Sequence, residues 1–291
     1  MWKNIPVPGD FTPGAIVADE RMLMKDFAVP EAHVDSWLEA ARSRRSRRSY
    51  DGNPVPAEAL DRLIEMSRTF RPSPVARALV IPSAPADIFT GIVGSYGRIS
   101  DAPSAVAFAG ITDAPGVDAA VGYTGEALIL EATVLGLSTC WVAGMFKQRR
   151  VADLAEIGGS EKVFAISPLG TAVEAVSGTE RMVYRMKPGP KPRKSAEEVA
   201  PGSTSWPGWA RAAVEAARLA PSAMNRQPWR FTYDDGSVVV SVDGPDTPKI
   251  SKRVDCGIAM LHFELGARHH GTGGTWERLD HRTNVARFIS A

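Results

Sequence analysis

Two stretches of this chain run in register at a fixed distance. Gly122 and Gly257 lie 135 residues apart, and the same spacing separates Leu130 from Leu265, Ala132 from Ala267, Gly136 from Gly271 and Trp141 from Trp276. Landmarks kept in step without a gap indicate an internal duplication. That limits the fold: each half must supply the same helix, glycine and strand, "GYTGEALILEATVLGLSTCW" in the first and "CGIAMLHFELGARHHGTGGTW" in the second. The first of these is apolar on nearly all sides of its helix, which argues for a central, buried helix. The glycines of "GTGGTW" follow a helix rather than a strand, which speaks against a dinucleotide-binding turn.

With 291 residues, 44% of them hydrophobic, the chain can bury one large core or two small ones. The expected class is α+β: central sheets covered by helices, with two related halves packed around a pair of buried helices. Pro30 and Pro56 sit where helices begin. "RALVIP", "SAVAFAG", "EKVFAISPLG" and "SVVVSV" read as strands. Residues 186–209 are rich in Pro, Gly, Lys and Ser and read as a linker. The expected division is an extension over 1–30, a first half over 31–188 and a shorter second half over 189–291.

Charge and composition exclude several classes. The formal net charge is +1, so nothing pulls the whole molecule toward nucleic acid or membrane. No 18-residue apolar run is present. The start, "MWKNIPVPGDF", lacks the basic-then-apolar pattern of a signal peptide. Cys140 and Cys256 are far apart and lie in apolar surroundings, so neither a disulfide framework nor a metal site is expected. A reducing cytoplasm fits. The five histidines form no HExxH pattern and read as surface or helix-face residues.

Two polar segments stand out. Arg42, Arg44, Arg45, Arg47 and Arg48 fall within seven residues, interleaved with Ser43, Ser46 and Ser49. Guanidinium forks beside short hydroxyls suit a single phosphate monoester. A solvated basic face is the alternative; nucleic acid is disfavoured by the short run and the lack of interleaved aromatics. The second segment is "APSAMNRQPWRF", residues 220–231. Pro221 ends a helix, Ser222 and Asn225 offer short polar side chains, and Pro228-Trp229 starts a strand. Such a loop suits recognition of a planar ring edge and a sugar chain; an ordinary cap and turn is the alternative.

Together these segments resemble the nitroreductase family of FMN-dependent oxidoreductases. "RRSRRSYDGNPVP" (44–56) resembles the family's Arg-Arg-Ser-x-Arg-x-aromatic motif, "APSAMNRQPWRF" its Pro-Ser-x-x-Asn-x-Gln-Pro-Trp motif, and residues 122–146 its central helix with the strand after it. The order departs from the usual pattern. The loop motif normally follows soon after the arginines, where this chain has only the worn "RPSPVARALVI". Ordinary members are homodimers that build each flavin site from both subunits. The chain therefore resembles the fused branch, the TM nitroreductase type, in which two halves form an internal pseudo-dimer with one intact site and one decayed.

The resemblance implies a set of FMN-binding residues. Arg44, Ser46 and Arg48 would hold the phosphate and ribityl chain, with Arg45 contributing through its backbone. Pro221, Ser222, Ala223 and Asn225 would line the ring from the second half. Ala143 and Gly144 would approach the flavin N5 edge. Ser95 and Arg98 would reach the pyrimidine side, and Arg193 and Lys194 resemble a late basic pair near the phosphate. Arg47 stands where the family has an aliphatic residue, which bears on local packing. The implied activity is transfer of electrons from NAD(P)H through FMN to a nitroaromatic, quinone or similar small acceptor, by a monomer, with no metal and no catalytic side chain. The alternatives are an FMN-storage protein, favoured if residues 1–29 or 147–160 form a lid, and an interaction protein in which both sites have decayed.

Overall fold

In a computed structural model, residues 29–90, 98–173, 192–247 and 250–291 are described. The elements of the first half are α1 (Val34–Ser43), α2 (Ala57–Thr69), β1 (Ala76–Ile81), β2 (Ser104–Ile111), α3 (Val117–Val134), β3 (Ser138–Thr139), α4 (Gln148–Leu154) and β4 (Glu161–Gly170). A one-turn helix at Ala196–Val199 precedes α5 (Gly208–Ala217), β5 (Trp229–Asp234), β6 (Ser237–Val242), α6 (Lys252–His269), β7 (Gly274–Arg278) and β8 (Asn284–Ser290). The strands form two four-stranded antiparallel sheets, ordered β1-β2-β4-β3 and β5-β6-β8-β7. The two orders are the same, so the duplication seen in the sequence is a duplication of topology. Helices α3 and α6 begin and end 135 residues apart, at Val117 and Lys252 and at Val134 and His269.

α3 and α6 pack against each other as the centre of the molecule, buried along most of their length. Glycine sets how closely they cross. A Cβ on Gly122 would stand 2.0 Å from the Val254 carbonyl oxygen, and one on Gly257 2.0 Å from that of Ala119. The backbones meet, reciprocally, at the positions the duplication keeps. Several acidic groups on these helices are buried with partners. Tyr123 Oη donates to Glu264 Oε2 at 2.7 Å, and Arg268 Nε donates to Glu264 Oε1 at 2.8 Å. Trp37 Nε1 and Arg62 Nε both donate to Glu131, at 2.7 and 2.6 Å.

The sheets differ in how they are covered. In β2 every residue from Ser104 to Gly110 is buried. Val106 and Phe108 face the core that holds α3, while Ala105, Ala107 and Ala109 face a second cluster with Ile81, Phe89, Val142, Val151 and Ile166. A strand covered on both faces has no polar side to show, hence the unbroken apolar run. β6 alternates, burying Val238, Val240 and Val242, because only one of its faces is covered. The segment 147–160 packs against the outer face of the first sheet, burying Val151, Ala155 and Ile157 in the second cluster. Residues 1–28, proposed above as part of an alternative lid, lie outside the described residues.

Candidate functional site

The arginine segment is held open as an extra strand at the sheet edge. α1 ends at Arg44, whose N–H donates to Ala40 O while its ψ swings to 134°. Ser46 then bridges to Thr139 of β3, Arg47 N donates to Thr139 O at 2.9 Å, and Ser49 bridges to Ser100. Extended backbone sends alternate side chains to opposite faces. Arg45 and Arg47 are exposed, whereas Arg44 is only 8% exposed. This accounts for Arg47 in an aliphatic position: its side chain is in solvent. Arg45 Nη1 folds back onto the carbonyls of Arg42, Ser43 and Arg44, closing the C-terminus of α1.

Arg44 is the electrostatic centre. Its Nη1 reaches Ser46 Oγ only at 3.5 Å, and its Nε is buried with no partner among the described residues. The Thr139 hydroxyl beside it is also buried and without a partner there. Both border a cavity of about 190 Å³ that Arg45 and Arg47 also line. Beneath lies Cys140: burial pushes its thiol up, against the pull of Arg48, a hydrogen bond with Ser46, and Arg44. A raised pKa keeps the thiol protonated and unreactive.

Second-half residues reach this cluster. Arg193 donates to the carbonyls of Leu219, at 2.7 Å, and Ala220. More than a third of the residue is exposed, yet the packing around its guanidinium, and then the Arg44 charge, push its pKa down to about 10; Arg45 and Arg218 add to this and Glu126 opposes it. It stays protonated at neutral pH, so its charge and that of Arg44 act on one place. Lys194 goes elsewhere: its Nζ donates to Gln227 O at 3.0 Å and pairs with Asp243 at 3.6 Å.

The loop after α5 is strained and pinned. Met224, Asn225 and Gln227 have φ of 51°, 52° and 48°, a left-handed region uncommon for residues with a side chain. Ser222 Oγ accepts from Gln227 N at 2.9 Å, and buried Gln227 donates from Nε2 to Pro192 O at 3.1 Å. Asp255, in the first turn of α6, accepts from Ala223 N at 3.1 Å and from Arg226 Nε at 2.6 Å. Arg226 also donates to Thr247 Oγ1 and to the carbonyls of Ile250 and Ser251. Pro221 is buried; Ser222, Ala223 and Asn225 are half-buried.

Across the seam, Gly144 adopts a φ of 103°, and a Cβ there would lie 3.9 Å from Ile250 Cδ1 of the second half. Ala143 precedes it, half-buried, just beyond the Val142 bridge to Ile166. Trp141 Nε1 donates to Glu126 Oε2 at 2.7 Å, and Glu126 Oε1 lies 2.8 Å from His262 Nε2 of α6. His262 is a helix-face residue, as expected, but on a face of α6 that is fully buried; a carboxylate from the other half makes its burial tolerable. Arg98 is exposed two residues before Ser100, which pairs with the arginine segment. Ser95 lies outside the described residues. No group of acids, cysteines and histidines that could hold a metal occurs among the described residues. None of the described helices is long and apolar enough to cross a membrane.

Sequence reasoning missed Arg226, Asp255, Glu126 and His262. A lone acid opening an apolar helix, as in "VDCGIAMLHF", was the available signal for Asp255. Burial pushes the Asp255 carboxyl up to about 6, against the pull of Arg226 and the Ala223 N–H. An acid whose pKa is raised on folding binds its proton more tightly in the native state. Its contribution to stability is therefore greatest below the unfolded value near ~4 and falls as pH rises toward about 6, by on the order of 2–3 kcal/mol. Asp255→Asn is expected to flatten this part of the stability–pH curve between pH 4 and 7, read by urea unfolding. An unchanged slope would remove Asp255 as its source.

A duplicated α+β protein, its two halves sharing one sheet order and meeting at a basic seam, is the class these observations define. A family model described as "Putative TM nitroreductase" matches residues 37–267, and the chain belongs to that family. Among solved structures it is similar to a protein of Thermotoga maritima MSB8 described as a "putative nitroreductase", with 20% identity, a TM-score of 0.59, and coverage of 87% of this chain and 93% of that one. A nitroreductase of Bacteroides fragilis solved with bound FMN aligns at 19% identity and a TM-score of 0.37, over 48% of this chain and 90% of that one. Curated protein sequences gave no match.

Proposed function

We propose that the protein is an FMN-dependent oxidoreductase that takes electrons from NAD(P)H and passes them to a nitroaromatic, quinone or similar acceptor, with one flavin at the seam of a monomeric pseudo-dimer. One observation carries the reading: buried Arg44 of the first half, whose Nε has no partner among the described residues, stands in the same field as Arg193, which is anchored on the second half. Buried donors without acceptors are rare in native proteins and mark the place of an absent partner. A phosphate monoester supplies the charge and the acceptors. Family membership agrees, as does the relative that binds FMN.

Arg44, Ser46 and Arg48 would hold the phosphate, with the Thr139 hydroxyl and Arg193 closing on it. The ring would lie toward Ala143 and Gly144 on one side and the Ser222–Asn225 loop on the other, where Ile250 already meets Gly144. When bound, the flavin supplies hydride and electron transfer. The chain orients it, and the strained loop fixes the ring's polar edge without rearrangement. The purified protein is expected to be yellow and to bleach on anaerobic addition of NADPH or NADH. A yellow protein that neither nicotinamide bleaches would be a storage protein, and a colourless one that takes up no FMN would end the proposal.

The loop offers a narrower test. Asn225→Gly removes the side chain but keeps the left-handed backbone, which glycine adopts without strain. Flavin absorbance is expected to shift, and steady-state NAD(P)H oxidation by FMN-saturated protein to fall about tenfold, as for one lost polar contact of ~1–1.5 kcal/mol. Spectra and turnover identical to wild type would show that this loop does not touch the cofactor.

A further inference from the structure

The duplication assigns a mate to the seam site. At the 135-residue spacing, Ala143 and Gly144 correspond to Arg278 and Leu279, and Ile250 corresponds to Pro115. The structure has a cavity there, of about 350 Å³, bordered by Pro115, Gly116, Asp118, Arg253, Arg278 and Leu279. Gly144 and Ile250, which meet at the seam, map onto Leu279 and Pro115, and both of these border the cavity. Next to Pro115, Gly116 faces Arg278, whose Cδ would lie 2.7 Å from a Cβ on Gly116. The chemistry has changed: a long cation stands where the seam site has an alanine.

Arg278 is set up as a donor. Its side chain is 16% exposed, and its Nε is buried with no partner among the described residues. Its Nη1 lies 4.0 Å from Asp280, an almost fully exposed carboxylate at the rim; such a pair is worth little. The other basic lining group is committed. Arg253 donates to the carbonyls of His281, Arg282 and Asn284. His281 Nδ1 accepts from Thr283 N and Asn284 N. Asp118 is the counter-argument. Its carboxyl is pushed up, chiefly by burial and next by Asp246, against the pull of Lys162 and Arg253. It borders the cavity but is no ion-pair partner that Arg278 would have to give up.

We propose that this cavity binds a compact oxyanion, a carboxylate or phosphate, through Arg278, and does not take a second flavin. Flavin is excluded because Arg278 lies across the position of the ring edge and no arginine segment precedes the second half's strands to hold a phosphate tail. The inference shares its symmetry argument with the flavin reading but does not require the seam site to be occupied. The test is calorimetric titration of the full chain, with and without FMN, using inorganic phosphate and, separately, benzoate. At least one is expected to bind, and Arg278→Gln to weaken it ten- to hundredfold, as loss of a charge-assisted hydrogen bond of ~1.5–3 kcal/mol would. Flavin content should stay at one per chain in both proteins. Binding by neither probe, equal binding by Arg278→Gln, or two flavins per chain would overturn the proposal. A colourless protein that still binds the oxyanion would overturn only the flavin reading.

Discussion

Gly257→Ala is expected to destabilise the protein by at least 2 kcal/mol, although the same change in an ordinary helix interior stabilises by ~1 kcal/mol. The reason is the crossing of α3 and α6. The new methyl would stand 2.0 Å from the Ala119 carbonyl oxygen and 2.7 Å from its carbon. Both are backbone atoms, so no rotamer change relieves the clash and the helices must part. Overpacking of a tight core costs ~1–3 kcal/mol and occasionally more, and here it opens the contact between the halves. Gly122→Ala meets the Val254 carbonyl in the same way. The double variant should cost less than the sum, because helices already parted accommodate the second methyl. Gly208→Ala, at the start of α5 with no atom within 4 Å of the added carbon, is the control and should be near neutral. Urea unfolding measures all four. Wild-type stability in Gly257→Ala would mean that the helices do not meet there.

The crossing also bears on function, since the seam exists only while the halves are held at this distance. It was the most legible part of the sequence. The duplicated glycines announced it, and β4 and β6 were readable to the residue because their apolar runs end at turns. β8 was not readable. "NVARFIS" mixes Asn and Arg into a half-buried pattern, and only its place between β6 and β7 makes it a strand. β3 has two residues and no pattern of its own. In the candidate site the arginines and the Ser222–Asn225 loop were legible, since their chemistry lies in adjacent residues. The groups that pin them were not. Asp255 supports a loop about thirty residues earlier, and His262 meets Glu126 136 positions away. Nothing local distinguishes an acid that will find such a partner from one that will face water.

Arg44→Ala and Arg48→Ala are expected to cost flavin affinity without costing the fold. Each charge-assisted hydrogen bond to a phosphate is worth ~1.5–3 kcal/mol, so each variant should bind FMN about ten- to hundredfold more weakly. The two changes together should leave the protein colourless on purification. Stability should move the other way for Arg44. Its guanidinium is buried, makes one long contact to Ser46, leaves Nε unpaired among the described residues, and shares its surroundings with Arg193. Removing a poorly satisfied buried charge relieves a desolvation cost and a like-charge repulsion. Arg44→Ala without flavin should therefore melt at or above the wild-type temperature. With flavin the order should reverse, because ligand bound only to the native state stabilises wild type by its own affinity. Thermal melts of both proteins, with and without saturating FMN, read the crossover directly. A variant that melts lower without flavin and binds FMN as wild type does would show that Arg44 serves the fold and that the cluster holds no phosphate.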